Sequence, residues 1–346
     1  MVNPAPKSIL VIQTAFIGDV ILATAVLEKL HQTYPATQLD FLVRKGNEGL
    51  VEQHPYIGKV LVWNKRAGKI KNLFKLLRQV RQARYSYVIN LHRYASTGLL
   101  TTFSKASITI GFTKNPFSFL FTHRVQHVQT GIHEIERNQQ LIAGLTDAQP
   151  AMPRLYPTAG DYEVVRPYTA CRYVCMAPSS VWFTKQLPPE KWIELIRELQ
   201  PKVDKIYLLG APTDVELCNR IKAASNMAQV ENLAGVVSLL QSAALLKSAI
   251  MNYVNDSAPM HLASAVNAPV AAIYCSTVPA FGFGPLSQRA FVIETPEQLA
   301  CRPCGSHGHK ACPQGHFACA TTIRIEALQN CLTAQAESSI SQATPT

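Results

Sequence analysis

An α/β chain built of two doubly wound, Rossmann-like halves is predicted from three observations. Short β-rich apolar runs alternate with segments of helical period through most of the sequence, the pattern of a parallel sheet covered by helices. That alternation breaks once, over residues 149–167, where Pro150, Pro153, Pro157, Pro167 and Gly160 interrupt any helical period. Each half also holds an acidic strand-to-helix junction, the tight turn Ile17-Gly18-Asp19 in the first and Asn255-Asp256-Ser257-Ala258-Pro259-Met260-His261 in the second. Such a pairing implies halves of nucleotide-binding type facing each other across a cleft, with reactive groups from both lips, which favours an enzyme over a scaffold.

In the first half, strands are expected at 9–12, 39–43, 60–62, 87–91 and 108–110, and helices at 19–33, 72–84, 96–104 and 134–144. The proline-rich break reads as an interdomain linker with at most one edge strand. In the second half the alternation resumes, with strands at 173–177, 205–209, 249–254 and 270–274 and helices at 190–199, 213–223, 237–246 and 258–265. At 346 residues the chain accommodates two domains of ~100 to 200 residues each. The expected boundaries are 1–150 for the first domain, 151–170 for the linker and 171–335 for the second, with a Cys-rich loop at 301–319 and a disordered tail at 336–346. Right-handed crossovers put the strand C-termini on one edge of each sheet, where ligands bind. Asp19, Leu91-His92-Arg93, Pro178-Ser179-Ser180, Gly210-Ala211-Pro212 and Asp256 fall there.

Hydrophobic residues make up 47% of the chain and charged ones 16%, so a packed core is expected, with disorder confined to the ends. Against 22 Asp and Glu stand 33 Lys and Arg, a net charge of +11 concentrated in the first half. Lys65, Arg66, Lys69, Lys71, Lys75, Arg78, Arg81 and Arg84 follow one another with no acid between, and Arg44, Lys45, Arg93, Lys105, Lys114 and Arg124 extend the field. Such a field attracts phosphate on nucleic acid, anionic lipid or an acidic glycolipid, although for any single lysine a solvated helix face is the simpler reading. No secretory or membrane-spanning segment is expected, because the apolar stretch 9–27 carries Gln13, Thr14, Asp19 and Thr24 and lacks a cationic flank and a small-residue cleavage site. Nine cysteines, an odd number, argue against a fully paired disulfide framework and for a reducing cytoplasm.

Four segments carry candidate chemistry. Thr14-Ala15-Phe16-Ile17-Gly18-Asp19 lacks the Gly-x-Gly-x-x-Gly fingerprint of dinucleotide sites. Asp19 therefore reads first as a helix N-cap and second as a general base held in a cleft. Ser179-Ser180-x-x-x-x-Lys185 follows a strand and precedes the helix start Pro188-Pro189-Glu190, so hydroxyls, free N–H groups and an ammonium meet where a diphosphate would sit. A polar loop with an exposed lysine is the alternative. The junction at Asn255 to His261 offers N–H groups as an anion pocket, with Ser257 and His261 on the same helix face. Cys301-x2-Cys304-x7-Cys312-x6-Cys319, interspersed with His307, His309 and His316, has spacing compatible with structural zinc and equally with a reduced cysteine loop.

Taken together these motifs resemble the ADP-heptose:lipopolysaccharide heptosyltransferases of glycosyltransferase family 9 over nearly the whole chain. The resemblance rests on Ile17-Gly18-Asp19-Val20, His133-Glu134-x-x-Arg137-Asn138, Ser179-Ser180 with Lys185, Gly235-x-Val237-Ser238-Leu239 and Asn255-Asp256-Ser257-x-Pro259-Met260-His261. Cys-x-Pro-Cys at Cys301 and Cys312-Pro313-x-Gly315-His316 are similar to the tail of the heptosyltransferase II branch. The resemblance implies a GT-B fold and an inverting, metal-independent sugar transferase using ADP-L-glycero-D-manno-heptose or another nucleotide sugar, with no required cofactor. It implies Asp19 as general base and an acceptor bound around Gly18, Arg44, His92 and Arg93. Ser179, Ser180 and Lys185 would hold the diphosphate, Asp214 the ribose and Val237 the adenine surroundings. Asp256, Ser257, Ala258 and His261 would hold the phosphate and sugar end. Ala258 stands where the family usually has glycine, so its methyl crowds a backbone approaching the donor.

The implied partners are a nucleotide sugar and an acidic glycolipid, the lipopolysaccharide core, with peripheral contact at the cytoplasmic face of the inner membrane. A monomer is expected. No aromatic single-strand platform or DNA-reading helix stands out, so nucleic acid is not an expected partner. Two alternatives share the fold: a nucleotide-sugar epimerase that needs no acceptor, and a non-catalytic glycolipid-binding protein.

Overall fold

The computed structural model describes residues 5–66 and 68–341. The chain divides into two compact units between Tyr156 and Pro157, and each has its own six-stranded, fully parallel sheet.

The first unit's sheet runs β3-β2-β1-β4-β5-β6, from β1 (Ser8–Ile12), β2 (Gln38–Arg44), β3 (Ile57–Trp63), β4 (Tyr87–Asn90), β5 (Ile108–Phe112) and β6 (His123–Val125). The central strands are buried on both faces and read as continuous apolar runs, as parallel strands under helices must. Helices α1 (Ile17–Thr33), α2 (Lys69–Ala83), α3 (Ala95–Thr102) and α4 (Glu134–Gln139) connect or follow them. The expected tight turn Ile17-Gly18-Asp19 is instead the first turn of α1, with Phe16 as N-cap. Asp19 sits at the third helical position, where its Oδ2 accepts the Phe16 N–H at 3.2 Å. It so satisfies a helix-start donor without being the cap itself.

The second unit's sheet runs β12-β11-β10-β7-β8-β9, from β7 (Tyr173–Ala177), β8 (Lys205–Leu208), β9 (Val230–Asn232), β10 (Met251–Asn255), β11 (Val270–Tyr274) and β12 (Ala290–Glu294). Its core gathers Trp192, Leu195 and Leu199 of α6 (Pro189–Leu199) with Tyr253, Ile273 and Leu328. Helices α7 (Val215–Ser225), α8 (Leu239–Ser248) and α9 (Ala258–Ala265) lie close to expectation. The strands β6, β9 and β12 escaped sequence reading. All three are sheet edges, and the first two, of three residues each with polar members, are too short for a periodic signal.

The stretch 151–170 is not a bare linker. It contains a helix, α5 (Ala159–Val165), begun by a reciprocal cap in which Thr158 Oγ1 accepts the Asp161 N–H at 3.2 Å and Asp161 Oδ2 accepts the Thr158 N–H at 2.8 Å. α5 packs on α8. Pro157 and Pro167, which read as breakers, lie outside this helix. The residues before it belong to the first unit: Thr24 Oγ1 accepts the Arg154 N–H at 3.0 Å, and the Tyr156 hydroxyl donates to Glu28 at 2.8 Å. Beyond the Cys-rich loop, the short α10 (Ala318–Thr321) and α11 (Ile325–Ser341) close the chain, and α11 packs on α6. α11 thus runs through residues 336–341 of the expected tail, a stretch with no Gly or Pro. Residues 342–346 lie outside the described residues. No described helix is long and apolar enough to cross a membrane.

Candidate active site

In an open parallel sheet the strand order reverses at one place, and the loops leaving the two strands there diverge to opposite faces, opening a crevice at their C-terminal ends. In the first unit that place lies between β1 and β4. Thr14, just past β1, and His92, just past β4, meet across it: Thr14 Oγ1 and His92 Nδ1 are 3.2 Å apart. Lys65, past β3, donates from Nζ to the Thr14 carbonyl at 2.8 Å and to its hydroxyl at 3.0 Å, with Nζ 4.7 Å above the Trp63 ring. Arg44, at the end of β2, lies 5.0 Å over the Phe16 ring.

The electrostatics of this cluster follow from burial beside cations. Burial, with Lys65 and Arg93, drives the His92 imidazole down to about 3, so it is neutral at working pH. Burial also lowers Lys65 to about 8, helped by Arg44 and Lys69. Arg44 is lowered by burial and by Arg66, while the Asp19 carboxylate pulls it back up. Asp19 is therefore within electrostatic reach of Arg44, and of Glu134 as well. Burial raises Glu134 to about 7 against the pull of its ion-pair partner Arg137, and the Asp19 charge adds to the rise. Arg137 fastens the preceding loop through the carbonyls of Val128 at 2.6 Å, Gln129 at 3.2 Å and Ile132 at 3.2 Å.

The His92 loop is fixed from below. Asn115 Nδ2 donates to the carbonyls of His92 at 3.2 Å and Tyr94 at 3.1 Å. It reaches them only because α3 has Gly98 there: a Cβ at that position would lie 2.0 Å from Asn115 Oδ1.

In the second unit the order reverses between β7 and β10, and the residues expected at Ser179, Ser180, Lys185, Asp256 and Ser257 gather there. Lys185 Nζ pairs with the buried Asp256 Oδ2 at 2.6 Å, and the Thr277 hydroxyl donates to the same oxygen at 2.6 Å. Asn255 bridges the two strand ends, accepting the Leu187 N–H at 3.0 Å and donating to the Pro178 carbonyl at 2.8 Å. Ser257 Oγ reaches the Ser179 carbonyl at 3.5 Å, and Gln186 donates to the Ser180 carbonyl at 2.6 Å. Ala258 opens α9 next to these groups, and His261 is buried one turn on, its ring edge-on to Phe283 at 6.4 Å.

Asp214 and Val237 lie farther along the same sheet edge, on the loops after β8 and β9, which are joined by the Gly235 N–H donating to Gly210 at 3.0 Å. Asp214 Oδ2 accepts the Ala211 N–H at 2.8 Å and so caps its own turn. Among the described residues no hydrogen bond or ion pair links these two to the Asp256 group.

The Cys-rich loop is part of this cluster, which its sequence did not reveal. Thr184, 1% exposed, exchanges hydrogen bonds with His309: its Oγ1 accepts the His309 N–H at 2.8 Å, and its own N–H donates to the His309 carbonyl at 3.1 Å. Ser276 donates to Thr184 Oγ1 at 3.0 Å, and the Cys304 N–H donates to the Ser276 carbonyl at 2.7 Å. Gly308, at φ +78°, lets the loop lie against Lys185, since a Cβ there would stand 3.0 Å from Lys185 Cγ and from Thr184 Oγ1. Arg302 anchors the loop's start to the end of β11 through the carbonyls of Cys275 at 2.7 Å and Thr277 at 2.8 Å, and pairs with Glu294.

All nine cysteines are free thiols. Cys304 is raised by burial and then by Cys301 and Cys312, and Cys319 is raised by burial to about 11, with Cys312 adding to it. Cys301 Sγ stands 3.8 Å from His316 Nε2. Among the described residues no three His, Cys, Asp or Glu side chains converge at metal-holding distances, so Cys301, Cys304, Cys312 and Cys319 as they stand do not fit a tetrahedral ion.

Sequence motifs thus fall at both switch-point clusters, but the sequence assigned no role of their own to Thr14, Lys65, Thr184, Thr277 and Arg302. Lys65 was visible only as one member of a basic run, and the other four are ordinary residues whose partners are remote in the chain.

The sequence profile of "Glycosyltransferase family 9 (heptosyltransferase)" matches residues 73–313. The chain is 27% identical over 282 residues to lipopolysaccharide heptosyltransferase 3 of Escherichia coli K12, covering 75% of this chain and 80% of that protein. The solved structure of E. coli ADP-heptose lps heptosyltransferase II superposes with a TM-score of 0.80 at 23% identity, over 96% of this chain and 99% of that one. E. coli heptosyltransferase WaaC with ADP matches with a TM-score of 0.75 at 20% identity, over 95% and 99%. The fold common to these is GT-B.

Proposed function

The chain belongs to glycosyltransferase family 9, and from that premise we propose that it is an inverting transferase moving a heptose from ADP-L-glycero-D-manno-heptose to the inner core of lipopolysaccharide. Asp19 is the general base: it removes the proton of the attacking acceptor hydroxyl as that oxygen bonds to the anomeric carbon. Attack from the face opposite the leaving group inverts the centre through an oxocarbenium-like transition state. The bond to the diphosphate oxygen breaks, and the charge that develops there is met by Lys185, Ser179, Ser180, Ser257 and the N–H groups at the start of α9. Asp214 and Val237 take the nucleoside. On the acceptor side Gly18, Arg44, His92 and Arg93 line the approach, with Lys65 and Arg44 supplying charge for acidic sugars and phosphates.

The observation that carries this reading is the buried pair Lys185–Asp256, with Thr277 on the same carboxylate oxygen. It supports the reading because the Lys185 ammonium stands beside the strand ends of β7 and β10, where a diphosphate would compete with the Asp256 carboxylate for it. Ala258 adds a methyl to the helix start and favours donors whose sugar stands slightly off the backbone. The reaction itself is metal-independent in this proposal, and the enzyme works as a monomer in the cytoplasm, at the inner face of the membrane. Structural zinc on Cys301, Cys304, Cys312 and Cys319 is a separate proposal, supported by their spacing alone. Binding would draw the thiols closer than they stand, and tag-free protein that is stable without zinc would overturn it.

The test is to screen ADP-, GDP- and UDP-sugars for binding, then supply deacylated lipopolysaccharide core to the one that binds and follow product mass. An acceptor-dependent gain of one heptose is expected. Sugar-nucleotide turnover that ignores the acceptor, or no product with any donor, would overturn the assignment.

A further inference from the structure

We infer that the outward face of α2 is a docking surface for an anionic phospholipid bilayer. Between Glu52 and Glu134 the sequence has no Asp or Glu, yet it has 13 Lys and Arg. α2 buries only Leu76, Leu77 and Val80. Along the border of that buried stripe, Ile70 is left 69% and Phe74 60% exposed. These two are four residues apart and share one helix face, and Arg78 continues the row. Lys71 and Lys75 flank them. Beside Phe74 a hollow of about 990 Å³ is lined by Leu77, Arg78, Arg81, Arg84 and Lys105. Among the described residues no carboxylate pairs with any of these cations.

Unneutralised cations call for an anionic partner, and two bare apolar side chains in their midst select which one. A bilayer uses both features, since phosphate headgroups meet the cations while Ile70 and Phe74 enter the headgroup boundary. A polyanion in water would leave the two apolar side chains exposed. The surface also connects to the first unit's cluster, because Lys69 at the start of α2 acts electrostatically on Lys65. Docking through α2 would bring that edge to the membrane where a lipid-borne acceptor lies. To that extent the inference rests on the proposed function.

The experiment is co-sedimentation of the full chain with vesicles of phosphatidylcholine alone and of phosphatidylcholine with phosphatidylglycerol. Binding is expected only to the anionic vesicles and is expected to fall at high salt. Each of Arg78→Gln and Arg81→Gln should lower vesicle affinity by about fivefold, and Ile70→Ser with Phe74→Ser should abolish sedimentation. Circular dichroism would confirm folding of these surface variants, and their transfer to water-soluble deacylated core should stay at the wild-type rate. Equal binding to neutral vesicles, wild-type sedimentation of the Ile70/Phe74 double variant, or displacement from vesicles by duplex DNA would overturn the inference. If wild-type protein sediments as expected but transfers nothing to the soluble core, the proposed function fails and the docking surface stands.

Discussion

At the first unit's switch point the joining contacts are side chain to side chain, Thr14 to His92 and Lys65 to Thr14, and the groups there titrate far from their usual ranges. At the second unit's switch point backbone carbonyls and N–H groups do most of the joining, and the one strong charge is neutralised by Asp256. Two sheets of the same strand order thus hold different chemistry at the same topological place. The difference teaches that topology fixes where a crevice forms, while local burial and charge decide its task. The first unit's crowded cations offer charge for an anionic substrate. In the proposed reaction, the second unit's backbone-lined cradle around Lys185 would grip the diphosphate.

The contrast breaks most visibly at Asp19. Asp19→Asn should lower the transfer rate by about 10²- to 10⁴-fold, as expected for loss of a general base, while leaving nucleotide affinity near wild type. Steady-state kinetics alongside calorimetric binding separate the two quantities, and a variant only a few-fold slower would remove Asp19 from catalysis. Next in size is Lys185→Ala, which should weaken nucleotide-sugar binding by about 1.5 to 3 kcal/mol. It should also lower the melting temperature, because Asp256, 5% exposed, loses its ion-pair partner. Unchanged affinity in titration calorimetry would show that the second cluster does not grip the diphosphate.

A smaller effect tests the Cys-rich loop. Gly308→Ala puts a methyl 3.0 Å from Lys185 Cγ at a left-handed φ of +78°, a cost of about 1 to 3 kcal/mol. It should lower the melting temperature and weaken donor binding several-fold without touching the first cluster, so that acceptor KM stays constant. The smallest effect sharpens the electrostatic side. His92 is depressed from 6.5 to about 3 in the folded protein, so the folded state disfavours its proton. The stability this contributes is complete above 6.5 and is lost as pH falls toward 3. Urea midpoints should therefore decline from pH 7 to pH 5 in wild type and decline less in His92→Asn, and parallel slopes would contradict a buried neutral imidazole.

Much of this was legible in one dimension. The buried central strands are continuous apolar runs, so their periodicity locates them, and the motifs at Asp19, Ser179 and Asp256 sit at strand ends where topology puts ligands. Helix α5 was hidden because prolines on either side of it outweighed a four-residue capping box, and β6 and β9 because three-residue edge strands carry little pattern. In the site, the residues that sequence singled out belong to local motifs, whereas Thr184 meets its partner His309 from 125 positions away.

The sequence by itself therefore determined the two sheets, the place of each crevice and the excess of positive charge in the first half, because periodicity and charge are properties of neighbours along the chain. Only the tertiary structure decided that Lys65 leans on Thr14, that Lys185 pairs with Asp256, and that the cysteine loop braces the turn carrying Lys185. Those contacts join residues brought together by folding, and their energies depend on burial and distance, which no linear spacing encodes.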